Sequence, residues 1–231
     1  MIKMVVSSFY NTIIDNEEAI PTSTVLEIDR IRNKGILFCI CTNRFYTEIL
    51  EYNHDFPFID YIVSLNGSYV YDVNKNKCLS KKKISLTNLK KISQLFDGYK
   101  IYYYTEANVY NELVDKDIYK VEVEITNLEE LNKLDKINLN YSVLEINNKK
   151  YLEFVNNKIS MFTGVDQISL RNSISLNEVL VVGGNDSDKA LISNIPHNYV
   201  VDNATNDLKK ITKKKTASNN DEGVEKVLKK I

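Results

Sequence analysis

Uninterrupted apolar runs that end in polar turns recur along the chain. The first, Met4-Val5-Val6, leads into the polar turn at residues 7–12, and the second covers residues 36–41. Further runs lie at residues 61–64, 178–182 and 199–201. Continuous apolar strands are typical of a parallel sheet that is covered on both faces. We therefore predict an α/β fold built on a doubly wound parallel sheet, with its chemistry in the loops at the carboxyl ends of the strands.

Stretches between these runs have helical spacing. In residues 21–34, apolar side chains recur at Val25, Ile28 and Ile31, a proline opens the stretch, and Gly35 follows its end. A proline at the start and a glycine just past the end are the usual helix boundaries. Further helices are predicted at residues 46–52, 188–192, 206–211 and 222–228.

The texture changes between about residues 69 and 148. Apolar and charged residues alternate there in short stretches, as in residues 100–104 and 120–125, and polar helices are predicted at 86–96 and 127–134. Alternation predicts a sheet with one face in water. We therefore predict a core domain of residues 1–78 and 151–231, with a small α+β module of residues 79–150 inserted into it.

Charge and composition exclude some partners. The chain has 231 residues, with 30 Lys and Arg against 31 Asp and Glu, so its overall field attracts neither nucleic acid nor an anionic membrane. The inserted module is rich in tyrosine, but no basic stripe accompanies it, and sheet packing explains these rings better than base stacking.

Cysteine usage and hydropathy indicate a cytoplasmic protein. Cys39 and Cys41 lie two residues apart on one predicted buried strand, where pairing is geometrically poor, and Cys78 is the odd third. We expect all three to be reduced thiols. No apolar run is long enough to span a bilayer, and no leader pattern opens the chain.

Six short fragments, in order along the chain, resemble the Cof-type branch of the haloacid dehalogenase-like phosphatases. The family opens with Asp-x-Asp-Gly-Thr after its first strand, where this chain has residues 8–12, and only the threonine matches. It has Thr-Gly-Arg, Asn-Gly, Leu-Glu-Ile, Gly-Asp-x-x-Asn-Asp and Asn-Ala followed by Ser-Asn-x-x-x-Gly-Val. The corresponding segments here are residues 42–44, 66–67, 152–154, 183–188, and 203–204 with 218–224. The resemblance implies a Rossmann-like core with an inserted α+β cap.

The residues that carry the family's chemistry are replaced. Ser8 stands at the position of the nucleophilic, metal-binding aspartate, and a neutral hydroxyl lacks the charge that a hard cation prefers. Tyr10 stands at the position of the general acid and base, and a phenol is a poor base near neutral pH. Met161 aligns with the lysine that neutralises the phosphoryl group, and Gly184 aligns with a metal-binding aspartate.

Two acidic residues remain in the fourth motif. Asp188 is the later aspartate of that motif, and Asp186 is a substitute for the missing one if the alignment shifts. We expect no cofactor, or Mg²⁺ if the protein is active. Because its metal-binding partners are missing, Asp188 is better interpreted as a helix N-cap than as a metal ligand.

Anion-binding groups are better preserved. The resemblance implies that Thr42, the amides around Asn43 and Arg44, and the start of the helix after Asn203 face the phosphate position, where free amides and helix N-termini hold anions without a metal. The alternative is that Thr42 only caps a helix and Arg44 pairs with a surface carboxylate.

We therefore predict a catalytically degenerate relative of the family. Phosphoryl transfer depends on positioning and charge neutralisation, and loss of the nucleophile alone costs several orders of magnitude in rate. Such a protein would bind a phosphorylated small molecule, or a protein partner through its cap. The alternative is a weak or altered magnesium-dependent phosphatase that acts on sugar phosphates or similar small esters.

Overall fold

The chain folds around two β-sheets. A computed structural model describes residues 1–54, 57–146 and 148–231. Twelve strands lie within these ranges: β1 Met4–Ser8, β2 Leu37–Cys41, β3 Tyr61–Ser64, β4 Tyr69–Asp72, β5 Lys77–Lys81, β6 Ile101–Tyr104, β7 Val109–Tyr110, β8 Lys120–Ile125, β9 Leu139–Ile146, β10 Lys149–Asn156, β11 Val179–Gly183 and β12 His197–Val200.

Seven α-helices accompany the strands in the described residues. Their bounds are α1 Thr22–Arg32, α2 Tyr46–Tyr52, α3 Leu86–Leu95, α4 Met161–Arg171, α5 Lys189–Asn194, α6 Asn206–Ile211 and α7 Gly223–Leu228. Shorter helical turns occupy Leu65–Gly67, Leu128–Lys136, Leu176–Glu178, Asp186–Asp188 and Asn219–Asp221. None of these helices is both long and apolar enough to cross a bilayer.

The first sheet confirms the predicted α/β core. Its strand order is β12-β11-β1-β2-β3-β4-β5, in which the first five strands are parallel and β4 and β5 form an antiparallel edge. Every residue of the central strands β1 and β11 is buried, as their continuous apolar sequences predict. Helices α1 and α7 pack together, and α4, α5 and α6 form a second group. All three cysteines are free, as predicted.

The second sheet is the inserted module, which we call the cap. It is antiparallel throughout, with strand order β7-β6-β8-β10-β9. Its own apolar core lies between β8, β10 and helix α3, where Phe96 packs against Phe154 with ring centroids 6.0 Å apart. Such a core gives the cap a packing centre separate from that of the first sheet.

The sheets to which strands β5 and β10 belong place both domain boundaries a few residues later than predicted. Strand β5 continues past residue 78 in the first sheet, so the cap begins after Lys81. Strand β10 crosses the predicted boundary at residue 151, and the cap extends through Asn156. The reason is that Leu152 and Phe154, which marked the return to the core in sequence, pair with β8 and are buried in the cap.

The predicted wet face of the cap sheet is wrong along β8. Lys120 is fully buried and Glu122 is 9% exposed, and both point toward the first domain while Val121 and Val123 face α3. Along this part of β8, the alternation of apolar and charged residues therefore reflects two buried faces, one apolar and one charged. The charged face meets the core domain at Lys120, which donates to the Asn43 peptide oxygen, whereas Glu124 at its other end is partly exposed and pairs with the exposed Lys149.

A buried charge cluster joins the cap to the core. The Lys120 ammonium donates to Glu122 Oε1 at 2.6 Å and to Glu153 Oε1 at 3.3 Å, and lies 4.0 Å from the centroid of the Tyr104 ring. Across the interface it donates to the peptide oxygen of Asn43 at 2.7 Å. Burial raises the pKa of the Glu122 carboxyl, but the charge and hydrogen bonds of Lys120 outweigh burial and hold that pKa below its usual range.

We expect Lys120→Met to lower the free energy of unfolding by about 3–5 kcal/mol, because removal of one partner leaves buried carboxylates unpaired. Urea unfolding measures this change. Lys83→Met is the matched control: Lys83 pairs with Asp117 at 2.7 Å, but both side chains are more than half exposed, and little change is expected. Equal effects of the two substitutions would contradict a structural role for the buried pair.

Candidate functional site

A cavity of about 330 Å³ lies between the carboxyl ends of the core strands and the cap. Its walls include three of the replaced motif positions, Ser8, Tyr10 and Met161, and three of the predicted anion-binding residues, Thr42, Asn43 and Arg44. Cap strand β9 covers it with Leu144, Glu145 and Ile146. The fold therefore brings together residues that are more than 150 positions apart in sequence, at the end of the sheet where α/β proteins bind ligands.

Two turns close the core side of this cavity. In the first, residues 9–13, Tyr10 has an extended backbone and Asn11 a left-handed one with φ of 56°. The second turn contains Asn185, whose amide donates to the Tyr10 peptide oxygen at 2.8 Å and accepts from the Asn11 amide at 3.1 Å. These paired amide contacts hold the first and fourth motif positions against each other.

Ser8 and Asp188 meet at the position where the resemblance places the nucleophile of the first motif. The Ser8 hydroxyl donates to Asp188 Oδ1, and Asp188 Oδ2 accepts from the backbone amides of Gly184 at 2.8 Å and Asn185 at 2.9 Å. The Asp188 side chain is fully buried. Three donors thus satisfy this carboxylate within the protein. The N-cap interpretation is not supported, since Asp188 precedes α5 but its carboxylate makes no cap hydrogen bond to that helix and instead binds the amides of Gly184 and Asn185 before it and the Ser8 hydroxyl.

Burial raises the pKa of the Asp188 carboxyl, and the Ser8 hydrogen bond and the two amides oppose that rise only in part. A carboxyl in this environment accepts a proton more readily than one in water.

Gly184 leaves no room for a carboxylate. A Cβ atom at this position would lie 2.7 Å from both the Asn11 peptide oxygen and Thr12 Oγ1, closer than real Cβ contacts. The fourth motif therefore packs directly on the first motif through bare backbone. An aspartate here would require the turn at residues 9–13 to move.

Asp186 does not take the missing role in this arrangement. Its Oδ1 accepts from the Thr205 hydroxyl at 2.6 Å, and its Oδ2 pairs with the Lys189 ammonium at 3.1 Å. Both carboxylate oxygens are thus directed to the start of helices α5 and α6. Asp186 borders a neighbouring cavity of about 520 Å³ and does not line the one with Ser8 and Arg44.

These residues do not fit the Mg²⁺ ion of the family. A hard cation takes several oxygen ligands, with carboxylates foremost. Ser8 is neutral, Gly184 has no side chain, and both remaining aspartates are satisfied by protein donors. Thr12 Oγ1 is a buried oxygen without a partner, but one neutral hydroxyl is no substitute. Among the described residues, no group of three His, Cys, Asp or Glu is placed to hold a metal.

Tyr10 and Met161 line the cavity, but they provide neither a general acid or base nor a charged group. Burial, followed by the charge of Glu48, raises the pKa of the Tyr10 phenol, and Arg44 opposes this rise only in part. A phenol in that state keeps its proton at neutral pH and is a poor general base. Met161 is the first residue of α4, behind the N-cap Ser160, and places an apolar side chain in the cavity wall.

At three of the four residues predicted to lie at the anion site, the protein itself engages the side chain. Thr42 Oγ1 accepts from the backbone amide of Arg44 at 3.1 Å, and the Asn43 amide donates to Glu153 Oε1 at 2.9 Å. Asn203 does not line the cavity; it donates to the Asn11 peptide oxygen and accepts from the Asn219 amide at 2.9 Å.

Arg44 is the exception. Its guanidinium lies 5.5 Å from the centroid of the Tyr10 ring, at the cavity wall. Within residues 1–54, 57–146 and 148–231, that guanidinium makes no ion pair or hydrogen bond, so its surface-carboxylate interpretation is not supported. A half-buried arginine with free donors is suited to a bidentate anion.

Sequence reasoning missed four residues at the site, three of which lie in the cap. Glu145 of β9 and Glu18 of the loop after β1 line the cavity, and Lys120 and Glu153 hold Asn43 from the cap side. No local pattern marks these residues, because their role depends on how two sheets meet. The one available signal was the charged positions that alternate along β8.

Comparisons with known proteins point in one direction. A model of the haloacid dehalogenase-like hydrolases matches residues 10–142 and 105–228. A provisionally named phosphatase of Streptococcus pyogenes serotype M6 is 21% identical over 99% of this chain and 98% of its own length. The solved structure of a haloacid dehalogenase-like hydrolase from B. subtilis superposes with a TM-score of 0.89 at 15% identity, covering 99% of both chains. A subclass IIB sugar phosphatase gives a TM-score of 0.85 at 19% identity, covering 99% and 98%.

The raised pKa of Asp188 predicts the direction in which the stability of the protein changes with pH. An unfolded aspartate titrates near about 3.9, and the folded group titrates higher, so between the two values the folded state binds more protons. We expect this group's contribution to stability to fall as pH rises through that interval. Chemical unfolding of the native protein and Asp188→Asn across that interval measures it. The difference between them should grow with falling pH in favour of the native protein, and a pH-independent difference would contradict the assignment.

Proposed function

Because the chain belongs to the haloacid dehalogenase-like hydrolases, we propose that it is a member without phosphatase activity that binds a small phosphorylated molecule beneath its cap. The observation that carries this proposal is the hydrogen bond from Ser8 to Asp188. It places a neutral hydroxyl, already committed to a carboxylate, where the reaction needs a charged nucleophile and metal ligand.

The missing parts of the reaction do not compensate for one another. Phosphoryl transfer relies on metal ions and cations that neutralise the developing charge. Gly184 is packed too tightly for a ligand side chain, and Met161 contributes no charge. Tyr10 holds its proton. What remains is a cavity of about 330 Å³ whose lining, among the described residues, includes one cationic side chain, Arg44.

Arg44 is the residue we assign to anion binding. Its donors are free within the described chain, and the Tyr10 ring holds one face of the guanidinium. A phosphate oxygen pair matches the planar fork of an arginine side chain. Thr42 supports this loop by accepting from the Arg44 amide, which leaves its hydroxyl proton available to a ligand, and Asn43 commits one of its two amide protons to Glu153.

The second candidate function is a weak magnesium-dependent phosphatase. The names of the relatives, a phosphatase and a sugar phosphatase, favour it. A protein partner bound through the cap also stays a prediction, since the exposed apolar side chains of the cap, such as Leu86 and Val109, lie on separate elements.

We expect the purified protein to show no magnesium-dependent turnover of sugar phosphates or a chromogenic aryl phosphate. A Ser8→Asp, Tyr10→Asp double variant should also stay inactive, because Gly184, Met161 and the engaged Asp186 still lack the metal and lysine functions. Assays with Mg²⁺ and with a chelator measure both proteins. Chelator-sensitive turnover by the native protein at rates ordinary for phosphatases would establish the second candidate and refute the first.

Arg44→Met should weaken binding of inorganic phosphate by about tenfold or more, since charge-assisted hydrogen bonds are the strong ones. Titration calorimetry measures the affinity. Arg171→Met, at the exposed end of α4 and away from the cavity, is the matched control and should bind as the native protein does. Unchanged affinity in Arg44→Met would remove Arg44 from the proposed site.

A further inference from the structure

Asn43 is held by the cap at two points. Its peptide oxygen accepts from the Lys120 ammonium at 2.7 Å, and its side-chain amide donates to Glu153 Oε1 at 2.9 Å. Both partners are essentially fully buried, with Lys120 at 0% and Glu153 at 1% exposure. Two contacts of this kind fix both the position and the orientation of a peptide unit.

The Glu153 carboxylate accepts hydrogen bonds from both domains. Besides Asn43 it accepts from the Asn66 amide at 3.1 Å and from the Ser142 hydroxyl at 3.0 Å, both through Oε2. Asn43 and Asn66 belong to the core, while Ser142 and Lys120 belong to the cap. One buried carboxylate therefore ties two core loops to two cap strands.

The held peptide lies directly before the available cation. Arg44 follows Asn43, and its amide donates to Thr42 Oγ1 at 3.1 Å while its guanidinium reaches the Tyr10 ring. The next residue, Phe45, contacts the cap ring of Tyr104 with centroids 5.6 Å apart. The cap thus contacts the chain on both sides of Arg44.

From this geometry we propose that Asn43 is a positioning residue, and that its clasp by Lys120 and Glu153 sets the orientation of Arg44 for anion binding. We call these three residues the clasp. This inference rests on the anion-binding role proposed above for Arg44. It makes cap docking and anion binding linked equilibria, because each favours the same arrangement of residues 42–45.

Affinity for inorganic phosphate tests the clasp. Asn43→Ala removes the contact with Glu153 and leaves the cavity lining otherwise intact, and it should weaken binding by roughly fivefold or more. Asn74→Ala is the matched control, because it removes an amide-to-carboxylate hydrogen bond to Asp60 at 3.0 Å far from the cavity. It should bind phosphate as the native protein does.

A pair of substitutions at Glu153 separates positioning from simple stability. Glu153→Gln keeps an oxygen that accepts from Asn43 and should retain most of the affinity, while Glu153→Leu removes it and should lose affinity as Asn43→Ala does. In the Asn43→Ala background, Glu153→Leu should cause no further loss of affinity. Additive losses would show that the two residues act separately and would overturn the clasp.

Amide hydrogen exchange measures how well the amides of residues 42–45 are protected in the absence of any ligand. Asn43→Ala should speed exchange at the amides of Arg44 and Phe45, and leave the β1 amides unchanged, whereas Asn74→Ala should change none of these. If native protein binds no phosphate, the anion-binding proposal fails and exchange alone decides whether the clasp holds this loop. Unchanged exchange at Arg44 in Asn43→Ala, with unchanged affinity, would refute the positioning role.

Discussion

A carboxylate that is buried away from solvent must find its hydrogen-bond donors inside the protein, and the arrangement at Asp188 follows from that constraint. One oxygen takes the Ser8 hydroxyl and the other takes two backbone amides. These bonds join the end of β1 to the turn after β11, the two adjacent strands at the centre of the sheet. The same contacts that stabilise the core therefore occupy the position at which this family performs its reaction.

A second buried carboxylate solves the same problem at the domain interface. Glu153 is satisfied by an ammonium, two amides and a hydroxyl, and these donors come from both the core and the cap. Removing one partner of a buried ion pair is strongly destabilising, because the remaining charge is left unpaired and unsolvated. These contacts hold the cap over the cavity that its strand β9 helps to line.

Much of the fold could be predicted from the sequence. Continuous apolar runs identified β1, β2, β3 and β11 because a parallel strand covered on both faces has no polar face to show. The replaced positions Ser8, Tyr10 and Met161 do meet in one cavity, since the carboxyl ends of neighbouring parallel strands lie at one edge of a sheet. Local pattern and strand order were sufficient for these conclusions.

The domain interface could not be predicted in this way. Lys120 and Glu122 have the alternation of a solvated strand, and only tertiary packing shows that the core covers them. Leu152 and Phe154 matched a core motif by order along the chain, yet they lie in the cap sheet. The engagement of Asp186 by Thr205 and Lys189 likewise depends on how helices α5 and α6 start next to one another. Each case involves partners distant in sequence, whose contacts no periodicity reveals.

The most direct test of the central claim is a crystal structure of the native protein grown with excess Mg²⁺ and inorganic phosphate. The account predicts that the Ser8 hydroxyl remains hydrogen-bonded to Asp188, that no cation lies between Asp186 and Asp188, and that phosphate is bound at Arg44. A magnesium ion coordinated by Asp188 with phosphate in line with Ser8 would contradict it, and would restore this chain to the catalytic members of its family.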